Sequence, residues 1–83
     1  MIKNELMNEW KSVTKNTSAR GVACRRLEPK YAVASLLVKY AGDLSRVEID
    51  FSKEQPRLEK YYPKFWHGVK SYLEWLRREE PTP

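Results

Sequence analysis

His67 and Cys24 are the single histidine and single cysteine of this 83-residue chain, and so its only ready candidates for nucleophilic or acid–base chemistry. Cys24 stands beside Arg25-Arg26, and neighbouring cations favour a thiolate. A histidine base, however, needs an orienting carboxylate within hydrogen-bond reach. His67 has Lys64, Lys70 and Ser71 as neighbours, and Glu74 comes two turns further along a helix. No motif joins the two residues, and His67 reads as a solvated side chain. The three glycines are isolated, which excludes phosphate-cradling loops of the P-loop or dinucleotide type. No His and Cys residues have zinc-ligand spacing, and no Asp-x-Asp pattern marks a divalent-cation site. The chain reads as non-enzymatic, with no cofactor and no metal.

The charge distribution carries more information. Residues 11–30 hold six cations, Lys11, Lys15, Arg20, Arg25, Arg26 and Lys30, against the single anion Glu28. That segment accounts for the whole formal net charge of +5, because the remaining cations and anions cancel. Within it, residues 14–21 (TKNTSARG) are rich in turn formers and read as a flexible loop. Hydroxyl and backbone donors interleaved with guanidinium groups suit phosphate oxygens. The six cations are therefore the expected nucleic-acid-binding residues, contacting the backbone without reading sequence. Trp10, if exposed beside them, would stack on an unpaired base; its place in an apolar stripe favours a core position instead. Asn16-Thr17-Ser18 matches a glycosylation sequon but has no secretory signal before it.

Helices must position these residues. Ile2, Leu6, Trp10 and Val13 recur at helical spacing and predict a first helix over 2–13. Residues 29–41 predict a second, with Pro29 at its first position and Gly42 just past its end. Its apolar residues leave only a narrow polar strip at Ser35 and Lys39, so it is the expected central helix. Residues 46–51 (RVEIDF) alternate like a strand, which would pair with 22–26. The Ser45-x-x-Glu48 capping box and the helical spacing of Leu44, Val47 and Phe51 favour a helix there. Ser52 and Gln55 form a second capping box, predicting a separate short helix that stops at Tyr61-Tyr62 before Pro63. Residues 63–79 give the clearest amphipathic pattern, with Phe65, Trp66, Val69, Tyr72, Leu73 and Leu76 on one face.

Together these segments predict a mainly α, single-domain bundle of about four helices over 1–80, with 81–83 as a frayed tail. A short strand pair, 22–26 with 46–51, is the alternative at one point. A helix-turn-helix around Gly42 is disfavoured, because its recognition helix would carry Glu48 and Asp50 toward phosphate. No run of about 18 apolar residues is present and the N-terminus lacks an apolar h-region, so a cytoplasmic protein without a membrane span is expected. A core this small has little stability to spare, which leaves a homodimer or a larger complex open. The second functional expectation is therefore a protein-binding accessory subunit or small inhibitor. It would dock on an acidic partner through the basic segment and an aromatic C-terminal helix, with Trp75, Tyr61 and Tyr62 as contacts.

Overall fold

A computed structural model describes residues 2–79, so the expected tail and residues 1 and 80 lie outside the described part. Five α-helices follow one another: α1 (Ile2–Asn16), α2 (Ala19–Arg25), α3 (Pro29–Lys39), α4 (Leu44–Tyr61) and α5 (Pro63–Glu79). The architecture is all-helical among the described residues, so the strand pair of 22–26 with 46–51 does not form. Both segments are helical, in α2 and α4.

α3 is the centre, as its nearly unbroken apolar circumference predicts. Val33, Ala34 and Leu37 are completely buried. α1 and α5 pack against it, and α4 packs on α5 and more lightly on α3. Leu6 and Trp10 of α1, Leu44, Val47, Phe51 and Leu58 of α4, and Trp66, Val69, Leu73 and Leu76 of α5 complete one core cluster. Gly68 brings α5 close to the start of α3, since a Cβ there would lie 2.6 Å from Pro29 Cγ.

The turn between α3 and α4 follows from hydrogen bonding. Gly42 N donates to Leu37 O at 2.7 Å and Ala41 N to Val38 O at 3.3 Å, the two bonds of a Schellman motif. Both residues take left-handed backbone, Ala41 at φ 53° and Gly42 at φ 86°. Gly42 is free to do so; Ala41 carries a Cβ into a region that disfavours it.

α4 differs most from the sequence expectation. Its N-cap is Asp43, whose Oδ1 accepts from Ser45 N at 3.1 Å and Arg46 N at 3.4 Å. The two capping-box serines are consequently inside the helix. Ser45 Oγ and Glu48 instead receive Arg77 of α5: Nη2 donates to Ser45 Oγ at 3.1 Å and Nε to Glu48 Oε1 at 3.0 Å. Gln55 donates to Glu59 one turn ahead at 2.6 Å rather than capping. Ile49, which a strand would bury beside Val47 and Phe51, is 54% exposed. The helix runs on through Pro56 because Phe51 and Leu58, seven residues apart on one stripe, are both buried on either side of it.

Candidate functional site

The expected flexible loop over 14–21 is mostly helix. α1 continues to Asn16, whose Nδ2 donates to Ser12 O at 3.0 Å, and the chain then breaks for only two residues. Ser18 caps α2, its Oγ accepting from Gly21 N at 3.2 Å. α2 rests on α1 and has no buried residue; Val22 is its inward contact. The basic segment is thus the last turns of α1, the whole of α2, the connection to α3 and the first two residues of α3.

The six cations separate into two groups. Lys30 is committed to α1, with its Nζ 2.6 Å from Glu9 Oε2. The hydrogen bond from Lys30 holds the Glu9 carboxyl below its ordinary pKa, and the same bond raises Lys30. Arg26 places its guanidinium 5.6 Å from the ring centroid of Trp10, over a side chain that is 4% exposed. Trp10 therefore belongs to the core, packed against Tyr31 at 5.7 Å between centroids, and cannot offer a stacking platform.

Lys11, Lys15 and Arg20 are exposed and make no ion pair among the described residues. Arg25 is exposed and lies 3.7 Å from Glu28, a loose surface pair of small energetic weight. Lys11 and Lys15 are one turn apart on the same side of α1. Lys15 and Arg25 also occupy the last turns of their helices, where positive charge complements the helix dipole. All six expected residues are exposed, and Lys11, Lys15, Arg20 and Arg25 are the four not tied to Glu9 or Trp10 of α1.

The three expected partner contacts do not form one group. Trp75 is half-buried, 5.3 Å from the Tyr72 ring, and borders a cleft shared with Ile2 and Leu6 of α1. Tyr61 and Tyr62 lie at the α4–α5 elbow, 62% and 54% exposed. Twelve residues of α5 separate Tyr62 from Trp75, about 20 Å along a helix axis. Cys24 and His67 are both exposed, on α2 and α5. No group of three or more His, Cys, Asp or Glu side chains with metal-binding geometry occurs among the described residues. No helix among them is long and apolar enough to cross a membrane.

One feature escaped the sequence reading. Leu27, in the connection after α2, is 74% exposed and faces Tyr62, Phe65, Leu58 and Arg57 across a cleft of about 430 Å³. The signal was present: Leu27 is a lone apolar residue between Arg25-Arg26 and Glu28-Pro29, outside any stripe. What could not be read was that α2 carries it to the α4–α5 elbow. Comparison with known proteins finds no matching family model, no matching curated protein and no matching solved structure.

Proposed function

We propose that this chain is a non-catalytic nucleic-acid-associated protein that contacts the phosphate backbone through Lys11, Lys15, Arg20 and Arg25. One observation supports the reading above others: the chain's entire charge excess falls in residues 11–30, and four of its cations stand exposed on α1 and the unburied helix α2. Lys30 and Arg26 play a different part, fastening the segment to Glu9 and to the Trp10 face. Binding of this kind supplies affinity and little base preference, because phosphate contacts carry no sequence information directly.

Fluorescence-anisotropy titration of labelled single- and double-stranded DNA and RNA across salt tests it. Four phosphate contacts give log K against log salt a slope of about −3.6 on duplex DNA. Changing Lys15, Arg20 and Arg25 together to Glu is expected to weaken binding by well over tenfold and to flatten that slope. Failure to bind any polynucleotide at low salt would rule the reading out.

A further inference from the structure

We infer that the cleft between α1 and α5 beside Trp75 binds a guanidinium group, the arginine side chain of a partner protein. This is independent of the phosphate contacts proposed for α1 and α2. The cleft, of about 190 Å³, is lined on the α1 side by Ile2, Glu5, Leu6 and Glu9. Tyr72 and Trp75 of α5 and Lys30 of α3 complete it. Two carboxylates and two aromatic rings therefore border one small space.

The charges that line this space leave one anion unmatched. Lys30 Nζ is 2.6 Å from Glu9 Oε2, so those two neutralise each other. Glu5 lies one helical turn before Glu9, is exposed, and makes no ion pair among the described residues. The net charge that an occupant meets is thus that of Glu5. Lys30 also shows how a cation is held here, against a carboxylate and 5.4 Å from the Tyr31 ring centroid. Glu5 and Trp75 offer the same two kinds of group to a cation from outside.

Guanidinium suits that combination better than ammonium does. Its plane stacks on an aromatic face, and its fork of N–H donors matches both oxygens of a carboxylate. Trp75 is half-buried and packed 5.3 Å from the Tyr72 ring, so the indole is held in place before a partner arrives. Ile2, also half-buried, gives the aliphatic stem of an arginine an apolar border. An anionic group, phosphate included, would meet the Glu5 carboxylate. From the sequence, Trp75 is expected to face an acidic partner; the charge lining its cleft points to a basic one.

The test is an NMR titration of the isotope-labelled full chain with the probe acetyl-Gly-Arg-Gly-amide. The Trp75 indole N–H and the amides around Glu5 are expected to shift together, with a Kd of about 1 mM. Glu5→Gln should weaken binding about three- to fivefold, the upper range for an exposed ion pair. Trp75→Leu should weaken it by a similar factor through loss of the cation–π contact. Replacing the probe's arginine with citrulline, its neutral isostere, should remove the shifts, and the lysine peptide should bind more weakly. Circular-dichroism melts accompany both variants; should either melt fall, the citrulline comparison decides, since it leaves the protein unchanged. Equal shifts with citrulline, an equal response of the Trp10 and Trp66 indoles, or affinity indifferent to Glu5 would overturn the inference. So would tighter binding of the lysine or aspartate peptide, or a dimer in light scattering that Glu5→Gln dissociates.

Discussion

Two residues test how closely side chains are fitted. Gly68 is fixed by its neighbour and not by its backbone, because the missing Cβ is the space Pro29 occupies, 2.6 Å away. Pro29 is a rigid ring at the first position of α3, so it cannot swing clear as a long side chain would. Gly68→Ala is therefore expected to destabilise the fold by about 1–3 kcal/mol in urea unfolding, despite the better helix propensity of alanine. The Glu9–Lys30 pair sets a pH dependence. Glu9 has a lowered pKa in the folded chain, so its stabilisation is present above the ordinary carboxylate range and fades as pH falls through the folded value. Lys30 is raised, so its share is full below the ordinary lysine value and fades as pH rises through the folded one. Both side chains are over two-fifths exposed, which keeps the effect small. Melting temperature against pH for Glu9→Gln should have a flatter acid limb than the parent, the two curves converging at low pH.

At the scale of helices, α4 shows where local pattern and packing part company. Pro56 lies in its interior, where it has no N–H to donate and crowds the preceding turn. Pro56→Ala should stabilise the protein by about 1–3 kcal/mol in chemical denaturation, because Phe51 and Leu58 already hold both halves of the helix. The extents of α3 and α5 were legible because Pro29, Gly42, Pro63 and the apolar spacing all agree. α4 was not, because Ser45-x-x-Glu48 satisfies a capping pattern whose groups are taken by Arg77, 29 residues beyond Glu48. Val47-x-Ile49-x-Phe51 alternates like a strand, yet Ile49 is left to solvent. Asp43, the residue that does cap, follows Gly42 and lacks a Glu or Gln three residues on. α2 was missed for a related reason: its turn-forming approach hid Ser18, a good N-cap in its own right. In the candidate site, charge segregation was visible in one dimension. The pairing of Lys30 with Glu9 and of Arg26 with Trp10 was not, because both partners lie on α1.

The whole molecule measures 36 × 32 × 17 Å, a slab about two helices thick. Its core is one cluster that includes Trp10 near the beginning of the described chain and Trp66 near its end. Tryptophan fluorescence and far-ultraviolet circular dichroism should consequently report one urea transition with a common midpoint. Separated midpoints would mean that α1 and α5 unfold independently. α2 touches this unit only at its edge, through half-buried Val22, and contributes no fully buried side chain while carrying Arg20 and Arg25. Its amide protons can be lost to heavy water through a local opening that leaves the core intact, whereas those around Val33, Ala34 and Leu37 require the whole slab to open. The helix that carries half of the outward cations is thus the one whose residence in the helical state costs least to interrupt, and a bound polyanion would be recorded first as slowed deuterium uptake between residues 19 and 25.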